Sequence, residues 1–377
     1  VKVLYVTSTR YDYTTATLVQ GLNALPGIEL RTTTLGNYAR PEQVLAREDA
    51  RAFGRTAALL ILGYNRGVDT ELYWSVDNPS AVRIFVDGGD NAEMPLSLAQ
   101  ARAMHAIFKR EYVRADNSLG NLIALLTRRS PGMWGTARRH ALLPFPSFEG
   151  FRNRTRPIDL LRNVAARSSV HKVHPFPFGI EDRFVGSINP DPRFELSCLL
   201  NPQAPERADL VRRLRESVFP RAFIDQIPIR SEDVQRLVAA GAVNPGAMRP
   251  VELGHSPAYY QQVRDSRRCL SVPGAGFDTL RFWEILAQGA LLVSKRIPLE
   301  MPQPPVEGRH YLGFDTFDEL RDLLRGSYRD PARADAIRTE GHQFALRAHT
   351  TRARAVYLLE ALRARGLLIN GPGHEAA

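Results

Sequence analysis

A two-domain α/β protein, each domain built on a parallel sheet, is the fold class this chain predicts, and three observations carry it. Its 377 residues exceed what one hydrophobic core ordinarily organises, so two domains are expected. The apolar runs are short and continuous rather than alternating, the pattern of strands covered on both faces. Helical stretches separate most of them, as crossovers between parallel strands require.

The elements follow in order. Val1 to Thr7 (VKVLYVT) reads as a buried strand, with a loop at Ser8-Thr9-Arg10-Tyr11, a helix over 14–25 and a strand over 28–34. Further apolar runs at 57–63 (AALLILG), 81–86 (AVRIFV) and 105–112 (HAIFKREY) extend the first sheet. A first domain is expected over 1–184, ending in HPFPFGIEDRF. Phe194 to Leu200 (FELSCLL) restarts the pattern, followed by a helix over 206–215, a strand over 222–227 and a helix over 233–239. This second domain is expected over 185–350. A last helix over 351–370, its core at 352–365, carries Val356, Leu358, Leu359 and Leu362 on one apolar face. The 371–377 tail reads as disordered.

Composition excludes several classes. Hydrophobic residues make up 44% and charged residues 24%, ordinary for a globular protein. No apolar run reaches the ~18 residues of a membrane span and no signal-peptide pattern opens the chain, so a cytoplasmic protein with peripheral membrane contact at most is expected. Cys198 and Cys269 both fall in strand-like apolar runs and read as core filling. The net charge of +10 favours an anionic partner: nucleotide, nucleic acid or membrane surface. No Cys/His cluster and no Asp-x-Asp triplet occurs, so no metal ligands are predicted.

The most informative stretch runs from Cys269 to Lys295, CLSVPGAGFDTLRFWEILAQGALLVSK. It reads as strand, glycine loop (Pro273-Gly274-Ala275-Gly276), helix opened by Asp278-Thr279 and closed by Gly289, then strand. A helix entrance offers unpaired N–H groups to an anion, and glycine lets the backbone approach a phosphate. Arg281 and Glu284 lie three apart and share a face. Glu284 falls about 7 Å beyond the first helical N–H groups at ~1.5 Å per residue, the spacing of a ribose behind a diphosphate. The site predicted is therefore one for a nucleoside diphosphate: Gly274, Gly276, Asp278, Thr279, Arg281 and Glu284, with Glu284 on the ribose hydroxyls; the resemblance given below makes these the donor-binding residues. Asp278 beside a diphosphate would be repelled, so capping the helix, holding Arg281 or binding a sugar hydroxyl are its alternatives. Replacing Glu284 by Ala is expected to weaken donor binding with the fold intact.

The segment PGAGFDTLRFWEILAQGALLV resembles the donor-binding segment of GT-B glycosyltransferases, and within them the exostosin-like and spore-maturation (CgeB-like) group, whose R-x-x-E-A-L-A-x-G stretch appears here as Arg281, Glu284, Ile285, Leu286, Ala287 and Gly289. The resemblance implies two Rossmann-like domains with a cleft between them and a C-terminal helix crossing back to the first. It implies a Leloir-type transferase using a UDP or GDP sugar, with no cofactor and no metal required. It adds Arg207, which opens a helix after the first strand of the second domain, as a diphosphate contact; a guanidinium fork suits that task. Many retaining members carry a glutamate eight positions before Glu284; Gly276 stands there instead, leaving the stereochemical outcome open.

On the acceptor side the expected residues are Arg10 and Tyr11, with Asp87 and Asp90 of the DGGDN loop as catalytic carboxylates taking the acceptor proton. Turn formation is the competing role of that loop. Lys109, Arg110 and Glu111 form a charged cluster whose role is structural pairing or part of the site. His174 is a candidate site contact and His255 a helix-entry residue. The arginine-rich 128–167 segment, with its aromatic residues, is a candidate anionic-partner surface. The acceptor stays open among a glycan, a lipid-linked carrier, a small metabolite and a nucleic acid. A nucleotide-sugar epimerase and a nucleic-acid-binding, DNA-glycosylating protein are the rival functions.

Overall fold

A computed structural model gives the fold and describes all residues except 9–11, 37, 65–67, 90–95, 97, 113–170, 201–204, 227–256, 275 and 369–377. The expected helix over 233–239, the 371–377 tail, the arginine-rich segment and His255 lie outside the described residues. The chain divides into two compact units. The first comprises Val1–Gly179, Pro298–Pro302 and Thr351–Ala377; the second comprises Ile180–Ile297 and Gln303–Thr350.

The first unit contains β1 (Lys2–Val6), α1 (Tyr13–Asn23), β2 (Glu29–Thr32), α2 (Arg47–Gly54), β3 (Leu59–Tyr64), α3 (Thr70–Ser75), β4 (Val82–Asp87), α4 (Leu98–Ala103), β5 (Ala106–Lys109) and β6 (Val173–Pro175). The strands form one sheet in the order β2-β1-β3-β4-β5-β6, every pairing parallel. Val3, Tyr5, Ile61 and Ile84 pack on one face with Leu18 and Leu22 of α1 and Leu358 and Leu362 of the last helix. Leu4, Val6, Leu60 and Leu62 pack on the other with Ala50, Leu72, Tyr73 and Ala101. Burial on both faces is why the strands show no alternation. The β5 strand stops at Lys109, short of Tyr112, because the charged residues beyond it leave the ladder for loop partners: Arg110 donates to the Gly89 carbonyl at 3.0 Å.

The last helix, Thr351–Ala364, lies in this first unit against α1. Gly21 permits the approach, since a Cβ there would collide with the Thr351 carbonyl. Buried Arg354 fastens the helix by donating to the carbonyls of Pro177 (3.1 Å) and Phe178 (3.3 Å).

The second unit contains β7 (Phe194–Leu200), α5 (Pro205–Glu216), β8 (Ala222–Gln226), α6 (Pro257–Arg264), β9 (Ser266–Ser271), α7 (Leu280–Ala287), β10 (Leu291–Lys295), β11 (Leu312–Phe314), α8 (Phe317–Arg329) and α9 (Pro331–Ala348). Its sheet runs β11-β10-β9-β7-β8, again wholly parallel. The order reverses between β7 and β9, and in open parallel sheets ligands bind beyond the carboxyl ends of the strands at such a switch point. Arg268 anchors that junction. Its buried guanidinium donates to Glu195 Oε2 of β7 (2.6 Å), Ser327 Oγ (2.7 Å) and the Ser327 carbonyl (2.5 Å), and stacks over Tyr328 at 4.4 Å.

Cys198 and Cys269 are buried on β7 and β9, and burial pushes each thiol up to about 12, so both fill core. Among the described residues, no helix is long and apolar enough to cross a membrane.

Candidate functional site

The glycine loop leaves β9 at the switch point. Its shape is closed by a hydrogen bond from the Gly274 amide to the Gly276 carbonyl at 2.9 Å. Arg207, on α5 after β7, reaches the same loop. Its Nε and Nη2 both donate to the Pro273 carbonyl, at 3.2 and 2.8 Å, and Nη2 also approaches the Val272 carbonyl at 3.4 Å. Gly274 is glycine because of this approach: a Cβ there would stand 3.2 Å from Arg207 Nη2. The helix that follows β7 thus sends Arg207 to the loop that follows β9, the two elements flanking the switch point.

Arg281, in the first turn of α7, brings a second cation to the same place. Burial, followed by the Arg281 charge, pushes Arg207 down to about 10. Arg281 Nε is buried without a hydrogen-bond partner among the described residues. Two guanidinium groups beside a glycine loop and a helix entrance form a site shaped for a polyanion. Thr279 occupies the N-cap position of α7, yet its side chain makes no capping hydrogen bond. Its hydroxyl lies 3.5 Å from Ser271 Oγ.

Asp278 departs from the capping role expected of it. It sits one residue before the cap, and its Oδ1 accepts from Trp283 Nε1 at 2.7 Å. The indole stacks in turn on His349 at 4.3 Å. Accepting from that N–H lowers the cost of a buried carboxylate, and it fixes the loop to the core of α7.

Glu284 is fully buried on α7. Its Oε2 accepts from the Tyr259 hydroxyl and its Oε1 from the Tyr260 hydroxyl, each at 3.1 Å. These two tyrosines, on α6, were not visible in the sequence as site residues. Burial and then the Glu284 charge raise both phenols well above their ordinary value, so both remain protonated donors. Arg281 lies against the Tyr259 hydroxyl. A connected chain therefore runs from Arg281 through Tyr259 to Glu284. The burial of Glu284 bears against the expectation that its replacement by Ala spares the fold, because buried Tyr259 and half-buried Tyr260 both donate to it.

The acceptor-side expectations fare differently. Arg10, Tyr11 and Asp90 lie outside the described residues. Asp87 is wholly buried, its Oδ2 bonded to Lys109 Nζ at 2.5 Å and its Oδ1 accepting from the Gly89 amide at 2.8 Å. With no solvent exposure and both oxygens engaged, Asp87 is placed to fix the loop and not to meet an acceptor hydroxyl. The Lys109-Arg110-Glu111 run serves structural pairing. Arg110 lies 3.7 Å from Glu111 and its guanidinium covers the Phe178 ring at 4.4 Å. A carboxylate overlooked in the sequence, Asp12, caps α1 by accepting from the Thr15 amide at 2.8 Å, and a Cβ at Gly88 would meet its Oδ1 at 2.8 Å. Burial raises its pKa, with the Thr15 hydrogen bonds and then Arg110 opposing. His174 stacks on Phe108 at 5.1 Å in the first unit, its Nε2 buried without a partner among the described residues, and burial followed by Arg365 lowers its pKa.

Among the described residues, no group of three His, Cys, Asp or Glu could hold a metal ion. A cavity of about 510 Å³ elsewhere in the second unit is lined by Leu312, Leu323, Ala334 and Ile337, with Arg296 and Glu319, and includes no residue of the glycine loop.

Comparison with known proteins places these features. A family model described as "Glycosyl transferase-like" matches residues 212–360, which include the glycine loop, α6 and α7. No curated protein matches the sequence. Among solved structures, HepE of Anabaena in complex with UDP is similar at 9% identity, covering 96% of this chain and 99% of that one with a TM-score of 0.54. A glycosyltransferase from Rickettsia africae is similar at 8% identity over 96% and 98% of the chains, TM-score 0.54. A sucrose-phosphate synthase from Thermosynechococcus elongatus is similar at 11% over 97% and 99%, TM-score 0.50. At these identities the likeness concerns the fold: two parallel sheets with helices, in the arrangement of the GT-B glycosyltransferases.

Proposed function

We propose that the chain is a Leloir-type glycosyltransferase that moves a sugar from a nucleoside diphosphate sugar to a hydroxyl-bearing acceptor, with the second unit holding the donor. The observation that carries this reading is the pairing of Arg207 and Arg281 at the switch point, where Arg207 is pushed down to about 10 by burial and by its neighbour. Two cations in one partly buried place repel until an anion arrives, and a diphosphate supplies enough charge for both. The match of 212–360 to a glycosyl transferase-like family and the UDP held by HepE favour a nucleoside diphosphate, with UDP the first ligand to test. The finer kinship with exostosin-like and spore-maturation enzymes rests on the Arg281-x-x-Glu284 stretch.

In this mechanism the glycine loop and the α7 entrance receive the diphosphate, and Arg207 and Arg281 neutralise it. Charge accumulates on the leaving diphosphate as the glycosidic bond breaks, and cations already in place there lower the barrier. Glu284, behind the entrance, accepts hydrogen bonds from the ribose. Asp87 is not assigned the acceptor proton, being committed to Lys109. Asp90 keeps that proposal, and Asp12, whose proton affinity burial raises, is the alternative beside it. The acceptor class and any peripheral membrane contact stand as proposals without a residue attached.

Calorimetric titration with UDP, GDP and their sugars tests the donor site, since a ligand bound only by the native state also raises its melting temperature. Binding that is lost in Arg207→Ala supports the assignment. Absence of binding by either nucleotide refutes it. Product analysis with donor alone separates the epimerase alternative, which needs no acceptor.

A further inference from the structure

Both oxygens of Glu284 are engaged by side chains of its own unit. Glu284 has no solvent exposure, and both carboxylate oxygens accept from tyrosines of α6. The two tyrosines are not equivalent. Tyr259 is buried at 5% exposure, and Arg281 lies against its hydroxyl. Tyr260 is only half-buried, with its ring at 5.7 Å from Phe184 and 5.2 Å from Tyr259. Neighbouring residues on a helix point in different directions, so both hydroxyls reach one carboxylate only because Glu284 lies between the directions they take.

The shelf under Tyr260 is fixed. The Phe184 carbonyl accepts from Gln288 Nε2 at 2.7 Å, and the Phe184 ring is covered by Arg183 at 4.8 Å. Arg183 is itself held by fully buried Glu181 at 2.7 Å. Tyr260, half-buried beside this shelf where Tyr259 is buried, is the more exposed member of the pair.

We propose that Tyr260 is a stand-in for the ribose: its hydroxyl satisfies Glu284 Oε1 in the empty site and is displaced by a ribose hydroxyl when a nucleoside diphosphate binds, while Tyr259 stays and keeps the carboxylate aimed. This deepens the donor-site reading above and rests on it. A buried carboxylate without donors is costly, so a site that reads a diol through a buried glutamate needs a substitute donor between turnovers. Tyr260 is that donor and acts as a positioning residue that sets affinity through Glu284. The exchange makes affinity a difference between two hydrogen-bonded states, so removing the stand-in strengthens binding.

The test compares Tyr260→Phe with the unaltered protein by calorimetric titration of UDP, GDP, 2′,3′-dideoxyuridine diphosphate and inorganic pyrophosphate. Tyr260→Phe is expected to bind the ribose-containing nucleotide about tenfold more tightly, the worth of one hydrogen bond to a charged group. Its affinity for the dideoxy nucleotide and pyrophosphate is expected to stay within twofold of the unaltered protein. Tyr259→Phe, which loosens the aim of Glu284, is expected to weaken the ribose-containing nucleotide instead. Weaker or unchanged nucleotide binding by Tyr260→Phe overturns the stand-in role while leaving the donor site in place. A gain equally large for pyrophosphate also overturns it, since the effect then does not pass through the ribose. Failure of the unaltered protein to bind either UDP or GDP overturns this inference together with the donor-site reading.

Discussion

Glu284 offers the sharpest test because its structural and ligand-reading roles separate by substitution. Glu284→Ala removes the acceptor of buried Tyr259 and half-buried Tyr260. The Tyr259 phenol left unpaired costs about 1–3 kcal/mol, Tyr260 facing water adds little, and the cavity adds to the loss. Against a typical stability of about 5–15 kcal/mol, this is a substantial destabilisation. Glu284→Gln keeps the volume. Its amide oxygen accepts from the Tyr259 hydroxyl, while its NH2 faces half-buried Tyr260, whose O–H turns to water, so the loss is about 1–2 kcal/mol. For the ligand, a ribose diol offers two hydroxyls where Tyr260 offers one. One charge-assisted bond is therefore lost on net, and UDP should bind the Gln variant about tenfold more weakly. Urea denaturation reads the first effect as a lowered midpoint at unchanged slope, larger for Ala than for Gln. Titration of the folded Gln variant with UDP reads the second. A Gln variant that binds UDP like the unaltered protein refutes the ribose assignment, and an Ala variant with an unchanged urea midpoint refutes the dependence of the tyrosines on Glu284.

Three further outcomes are expected. Arg207→Ala should weaken pyrophosphate and UDP binding alike, by about 10- to 100-fold for a charge-assisted contact, and Arg207→Lys should recover only part because the paired donors are lost; titration of both ligands checks it, and an effect confined to UDP contradicts a diphosphate contact. Lys109→Met should destabilise by about 3–5 kcal/mol by stranding buried Asp87, whereas the double variant with Asp87→Leu should lose less, a difference that a denaturation cycle measures. Burial opposes, but the hydrogen bond and charge of Arg268, with Arg267 and Arg221, hold the Glu195 carboxyl below its ordinary range in the folded state. The folded state thus binds that proton less tightly than the unfolded one. The contribution of Glu195 is complete above the unfolded value of about 4.3 and lost as pH falls through the folded value. Stability of Glu195→Gln should accordingly depend less on pH below about 4.3, as acid titration of the melting temperature will show.

The parts legible in the sequence were those that depend on local periodicity. The glycine loop between two apolar runs, Gly289 as the helix stop (its φ is +75), and the continuous strands of both sheets follow from patterns within a dozen residues. The capping box at Thr316 and Glu319 likewise marks the start of α8. Parts set by topology were not legible. Tyr259 and Tyr260 precede Glu284 by 25 and 24 positions, and only the packing of α6 and α7 around β9 brings them to one carboxylate. The pairing of Asp87 with Lys109 arises because β4 and β5 are parallel with those residues in register. DGGDN, read alone, shows a strand end with two carboxylates and nothing of the ammonium beside the first. For Asp278, capping was one of the roles offered by the sequence, but Thr279 takes the cap position and the indole five residues on donates to the carboxylate, a contact that no local pattern marks.

These internal bonds explain how a site with two neighbouring guanidiniums exists without its ligand. Arg207 gives its hydrogen bonds to the Pro273 carbonyl, and Arg281 rests on a tyrosine that is itself bonded to Glu284. The negative pole of a carbonyl and the charge of a buried carboxylate offset part of the repulsion, and the remainder is what holds Arg207 down at about 10. A diphosphate arriving at the α7 entrance faces donors already placed but already in use. Its affinity is then the surplus of charged contacts over the internal bonds it displaces, so deleting the displaced donor, the Tyr260 hydroxyl, should tighten binding while deleting a cation weakens it. That opposition of sign, read on one set of titrations, distinguishes a donor site from a structural cluster, in which every deletion would act in the same direction.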